Sequence, residues 1–136
     1  MKHVQTVLSS GMLMTALGLL LSHPNLAHAG GQTEKCIASW YGPGLQGGPM
    51  ANGERFDMND PNTIAHSSLP MGTIVQVTNL NNDLVASVEV TDRGPNGVRG
   101  RCVDGSRAVA QKLQYYVNDF AGTAPVSVRI LWIPFL

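Results

Sequence analysis

Three side chains in this 136-residue chain combine useful chemistry with a telling position: Asp92, Glu54 and His66. Asp92 ends the alternating run Val88-Glu89-Val90-Thr91, just before Gly94-Pro95 stops it. Counting by twos puts Asp92 on the face of Val88 and Val90, so parity predicts a carboxylate carried on the inner face of a sheet to its open end. An ionised carboxylate in apolar surroundings is costly unless it is paired or its pKa moves, so Asp92 is either structurally satisfied or employed as an acid or base. Pairing with Arg93 is disfavoured, because neighbours on a strand point to opposite faces. Glu54 falls in a long loop and is either an assisting carboxylate or a solvated charge. His3, His23 and His28 lie in the first 29 residues, which leaves His66 alone in the rest of the chain. A lone histidine either organises hydrogen bonds or orients a reacting group.

The same inventory excludes other chemistries. One histidine and no cysteine to spare give no zinc-binding set, and no metal or other cofactor is expected. Ser39 and Thr91 have no neighbouring histidine and no nucleophile elbow, so they read as strand and turn residues. Gly42-Pro43-Gly44-Leu45-Gln46-Gly47 matches G-x-G-x-x-G but carries a proline and opens no helix, so it is no dinucleotide site. Nine basic residues balance nine acidic ones, which argues against nucleic acid as a partner and leaves a neutral polymer such as a glycan open. Trp40 and Tyr41 alternate, one toward the core and one toward a cleft, with Tyr41 placed against a sugar ring.

The elements that must hold these residues start after a leader. Lys2 precedes an apolar stretch from Val7 to Leu21 that closes on Ala27-His28-Ala29, the pattern of a secretory signal peptide, with cleavage expected after Ala29. The apolar centre is too short to span a membrane, and no cysteine follows the exit, so an exported protein without a lipid anchor is expected, in the periplasm or outside the cell. Residues 30–136 then form one domain, expected as a monomer. Cys36 and Cys102, an even pair in an oxidising compartment, predict a disulfide, the alternative being two buried thiols.

Gly30 to Glu34 reads as a mobile leader and Cys36 to Tyr41 as a first strand. Leu45 to Pro61 reads as a long functional loop, and Thr73–Thr78 with Leu84–Asp92 as a hairpin. Asp104 or Ser106 caps a short helix over Arg107–Leu113, Asp104 being read as a cap and not as part of a site. Tyr115 to Gly122 has no clear pattern, and Val126 to Ile133 is a final strand. Short strands, one short helix and frequent turns indicate a small closed β-barrel.

Several segments then stand together in one order: Ala38-Ser39-Trp40-Tyr41-Gly42, Ala51-Asn52-Gly53-Glu54-Arg55-Phe56-Asp57, Ala65-His66, Leu69-Pro70-Met71-Gly72-Thr73, Thr91-Asp92-Arg93-Gly94-Pro95 and Gly122-Thr123-Ala124-Pro125-Val126. With them the chain resembles the rare lipoprotein A family. The resemblance implies a mainly β fold, a six-stranded double-psi β-barrel with one or two short helices. It implies an endolytic lytic transglycosylase of bacterial peptidoglycan that prefers glycan strands lacking stem peptides and leaves 1,6-anhydromuramyl ends. On this reading Asp92 is the catalytic acid, Glu54 and His66 line the same cleft, and Tyr41, Asn52 and Arg93 face substrate. Two other readings stand beside it: a non-catalytic wall-binding or wall-loosening module of the expansin type, and a secreted protease inhibitor.

Overall fold

The simplest part of the fold follows from alternation. Val75 and Val77 bury one face of β3 (Ile74–Asn79), and Ala86, Val88 and Val90 bury one face of β4 (Val85–Asp92), so the two strands close antiparallel as the expected hairpin. In the computed structural model, which describes residues 31–135, they join β1 (Thr33–Trp40), β2 (Thr63–His66), β5 (Arg101–Gly105) and β6 (Ala124–Trp132). The six strands make a closed barrel in the order β1-β5-β2-β4-β3-β6. Pairs β1/β5 and β2/β4 are parallel and the other four antiparallel, so the two halves of the chain interlock. This is the mainly β, six-stranded barrel that the sequence led us to expect. The leader over residues 1–29 lies outside the described residues. No helix among the described residues is long and apolar enough to cross a membrane.

Two expectations about local structure change. β1 begins at Thr33 and ends at Trp40, and the supposed mobile leader includes paired backbone, with Thr33 opposite Arg129 and Glu34 opposite Val128 of β6. The short helix α1 (Arg107–Lys112) is capped by Ser106, whose hydroxyl accepts from the Val109 amide at 3.1 Å. Asp104 is therefore not the cap; it lies within β5.

The barrel interior is filled by Ala38, Ile64, Val75, Val77, Val88, Val90 and Val126, all 0–2% exposed. Buried Asn79 ties the end of β3 to the helix, donating to the Leu113 carbonyl at 2.8 Å and accepting from the Asn81 amide at 2.9 Å. A smaller second cluster, Tyr41, Met50, Phe56 and Ala65, packs outside the barrel wall beneath the long loop.

Gly105 shows how tightly the helix seats on β5. A Cβ there would lie 2.6 Å from the Tyr115 hydroxyl and 3.1 Å from Val109 Cγ1, and that hydroxyl already donates to the Ser39 carbonyl at 3.1 Å. Gly105→Ala is expected to cost about 1–3 kcal/mol by overpacking, read as a lower midpoint in urea; an unchanged midpoint would show that the helix can yield.

Candidate active site

The strand that carries Asp92 does not keep the parity its sequence suggests. β4 pairs with β2 as Ile64 opposite Val90 and then Ala65 opposite Asp92, so Thr91 is an extra residue on one side of the ladder. Such a bulge turns the residues beyond it through the sheet. Ile64 and Val90 belong to the barrel core, whereas Ala65 belongs to the outer cluster with Tyr41 and Phe56. Asp92 goes with Ala65. It is the outer face, and not the inner face of Val88 and Val90, that presents this carboxylate.

There it lines a cavity of about 190 Å³ with Tyr41, Leu45, Gln46, Pro49 and Phe56. Its Oδ1 accepts from the Ala51 amide at 2.9 Å and from the Arg93 amide at 2.8 Å. Oδ2 has no hydrogen-bond partner among the described residues. Tyr41 is 8% exposed and stacked on Phe56 with ring centroids 4.3 Å apart, so one face of its ring is already covered by protein. Its hydroxyl is buried without a partner. Burial, then the charges of Asp92 and Asp104, push this phenol well above its ordinary pKa, so it stays a proton donor.

Asn52 and Glu54 sit on a small hairpin that the loop docks against the end of β4. Its ends bridge at Pro49 and Arg55, Met50 donates to the Glu54 carbonyl at 2.8 Å, and the Asn52 amide donates to the Thr91 carbonyl at 3.1 Å. The Asn52 side chain then holds Glu54 in place, donating to Glu54 Oε2 at 3.0 Å and accepting from the Glu54 amide at 2.9 Å. Both side chains are exposed. Beneath the hairpin, the hydroxyls of Thr63 and Thr91 bond one another under Met50.

His66 faces elsewhere. It is 2% exposed and opens on a separate cavity of about 420 Å³ with Gln32, Thr33, Glu34, Ser68 and Leu69. Nδ1 accepts from the Ser68 and Leu69 amides, both at 3.2 Å, which leaves the proton on Nε2 to be donated to Glu34 Oε2 at 3.2 Å. Cys102 lies beside the pair, but its sulfur is committed to a disulfide with Cys36. Arg93 does not pair with Asp92. Its guanidinium donates to the His66 carbonyl at 3.1 Å and the Leu69 carbonyl at 2.6 Å, bracing the turn that carries the histidine. The structure thus gathers Asp92 and Tyr41 in one cavity, sets Asn52 and Glu54 on the hairpin that grips Asp92, and turns His66 into another cavity.

Burial lowers the His66 pKa, against a smaller opposing pull from Glu34. The unfolded chain therefore takes up a proton near pH 6.5 while the folded chain does not, so stability falls as pH drops from about 6.5 toward the lower folded value. Denaturant melts at pH 7.5 and 5.5 should show this loss, and His66→Gln should reduce it; an identical pH slope in the variant would contradict the assignment.

Asp104 and Ser39 are the site neighbours that sequence reasoning passed over. Ser39 donates to Asp104 Oδ1, and burial raises the carboxyl's pKa against the lowering effects of Ser39 and Arg101. Ser39, Asp104, Ala65 and Asp92 stand opposite one another across β1, β5, β2 and β4. The signal was the second Asp at a strand end, hidden by Gly105-Ser106, which reads as a helix start.

The family described as lytic transglycolase, a double-psi β-barrel domain, matches residues 33–128. The chain belongs to this family. Among curated relatives, it is 45% identical over 101 residues to the endolytic peptidoglycan transglycosylase RlpA of Campylobacter jejuni, covering 74% of this chain and 35% of that protein. It is 51% identical over 88 residues to the probable endolytic peptidoglycan transglycosylase RlpA of Synechocystis, covering 65% and 27%. With the RlpA of Neisseria meningitidis serogroup A it shares 47% over 98 residues, covering 71% and 38%. The chain thus spans about a third of the length of these relatives. Two solved structures share the barrel: a Streptomyces papain inhibitor, with TM-score 0.57 and 21% identity over 75% of this chain and 96% of the other; and an expansin of Clavibacter michiganensis, with TM-score 0.53 and 24% identity over 76% and 52%. At these identities the likeness is one of fold.

Proposed function

We propose that this domain is a lytic transglycosylase that cuts the MurNAc–GlcNAc bond of peptidoglycan strands, preferring strands without stem peptides, with Asp92 as the general acid and then the base. The observation that carries this reading is the state of Asp92. One oxygen is oriented by two backbone amides, no cation is paired with the carboxylate among the described residues, and Asp92 lines a cavity together with the stacked pair Tyr41 and Phe56. The curated relatives named endolytic peptidoglycan transglycosylases support the choice of substrate.

In this mechanism the Asp92 carboxyl gives its proton to the glycosidic oxygen as the C1–O bond breaks, so the GlcNAc end leaves as an alcohol. The muramyl 6-hydroxyl then bonds to C1 and its proton passes to the Asp92 carboxylate, which restores the acid. No water is consumed, and a second carboxylate nucleophile of the kind retaining glycosidases use is not required. Tyr41, stacked on Phe56, forms the aromatic wall of the cavity beside Asp92, while Asn52 and Glu54 hold the hairpin against the strand and offer polar groups along the groove. Arg93 and His66 act on position, by fixing the backbone that follows β2. On this reading the domain works in the cell envelope, exported and as a monomer, without a cofactor.

The test is product identity. Denuded glycan strands incubated with the purified protein should yield soluble fragments ending in 1,6-anhydromuramic acid, identified by mass spectrometry. Fragments with ordinary reducing ends would make it a hydrolase, and retention of glycan with no new ends would make it a wall-binding module.

A further inference from the structure

On the other side of the segment that leaves β1 lies a third cavity, of about 410 Å³, lined by Ser39, Trp40, Arg101, Asp119, Phe120 and Thr123 among others. Trp40 and Gly42 line this cavity, while Tyr41 and Gly44 line that of Asp92, so the two flank one short stretch of chain. Ser39 connects them further through its bond to Asp104, whose charge reaches the Tyr41 hydroxyl.

Its lining is built for a polar ligand. Phe120 is 97% exposed, a ring that packs against nothing that would explain an aromatic residue there. Trp40 is fixed below by its tilt on Tyr116, at 5.1 Å between centroids, and by donation from its indole nitrogen to the Ala121 carbonyl at 3.3 Å. Gly122, at φ +155°, permits that approach, since a Cβ would lie 3.0 Å from the indole nitrogen. Asp119 accepts from the Tyr116 hydroxyl at 2.8 Å and leaves acceptor capacity for sugar hydroxyls. Arg101 is exposed and forms no ion pair among the described residues. A guanidinium whose charge acts on Asp104 but which no carboxylate pairs directly, in a groove beside an exposed aromatic ring, matches a sugar that bears a carboxylate, because the planar fork binds carboxylate bidentately while the ring covers an apolar sugar face.

We infer that this third cavity is a glycan subsite that takes a muramyl residue through its free lactyl carboxylate on Arg101, with Phe120 against the sugar ring. The inference rests on the glycan-cleaving reading for its substrate but makes a claim of its own, namely that strands lacking stem peptides are selected by charge. A stem peptide turns that carboxylate into an amide, which removes the negative partner and adds bulk at the guanidinium.

The test is binding, separate from turnover. In the Asp92→Asn chain, which does not consume the ligand, calorimetry compares denuded muramyl strands with the same strands after conversion of the lactyl carboxylates to methylamides. The free acid should bind about tenfold tighter, Arg101→Gln should bring the two ligands level, and Phe120→Ala should weaken both alike. Equal binding of acid and amide strands by the parent chain, binding of neither, or a preference for the acid that survives Arg101→Gln would overturn the subsite. Oligogalacturonate, which bears a ring carboxylate without the lactyl ether, should bind more weakly than the muramyl strand; equal or tighter binding would overturn the muramyl assignment. An acid preference abolished by Arg101→Gln in a protein that makes no anhydro ends would leave the subsite standing and remove the enzyme, so the two readings fail separately.

Discussion

Asp92→Asn should lower glycan cleavage by about two to four orders of magnitude, the span of a lost general acid, while leaving the melting midpoint and glycan retention in place. The substitution is nearly isosteric. An asparagine oxygen can still accept from the Ala51 and Arg93 amides that now orient the carboxylate, so the bulge and the docked hairpin have no reason to move. What is lost is the ability to give up and recover a proton at the free position. Activity within tenfold of the parent, measured as anhydromuramyl ends released per minute from denuded strands, would assign the proton to another group, of which Asp104 is the first to examine because burial raises its pKa.

The second large effect concerns the frame. The disulfide between Cys36 and Cys102 closes a loop of 66 residues, with the Cα atoms 5.8 Å apart, and joins the two parallel strands β1 and β5 near the bulge in their pairing. On the loop-entropy account its removal releases roughly 4 kcal/mol of restraint from the unfolded chain, a large part of the roughly 5–15 kcal/mol that keeps a domain folded. The double variant Cys36→Ala, Cys102→Ala should therefore unfold at much lower guanidinium concentration. A loss under about 1 kcal/mol would mean that residual structure already restrains the unfolded chain without the disulfide.

How far the sequence reveals this can be read from individual strands. β3 and β4 announce themselves because each has one face on the core and one in water, so valines recur every second residue. β2 shows no such period. All four of its residues are buried, Ile64 facing the barrel and Ala65 facing the outer cluster, because the long loop covers the side that would otherwise be wet. β5 is disguised differently, opening on Arg101 and closing on Asp104-Gly105, residues that read as a turn. Gly105 is there because the Tyr115 hydroxyl and Val109 occupy the space of its Cβ, a contact between distant parts of the chain that no local pattern encodes.

The candidate site divides in the same way. The residues to consider were visible by type, but their faces depended on one inserted residue. Counting by twos carries Asp92 inward with Val90, and the bulge at Thr91 reverses that, which also separates Asp92 from the cavity of His66. Glu34 was hidden by the Gly and Gln that precede it, which suggested a free terminus; its backbone is strand and its carboxylate accepts a hydrogen bond from His66 Nε2.

The central claim is that the free oxygen of Asp92, on the groove face beside Tyr41, meets the bond that is cut. A crystal structure of the Asp92→Asn chain with a denuded muramyl tetrasaccharide tests it most directly. The glycan should lie across the segment leaving β1, with a glycosidic oxygen within hydrogen-bond distance of the residue 92 side chain and one sugar near Tyr41. A glycan seated instead in the His66 and Glu34 cavity, with the residue 92 side chain away from any glycosidic oxygen, would contradict the account.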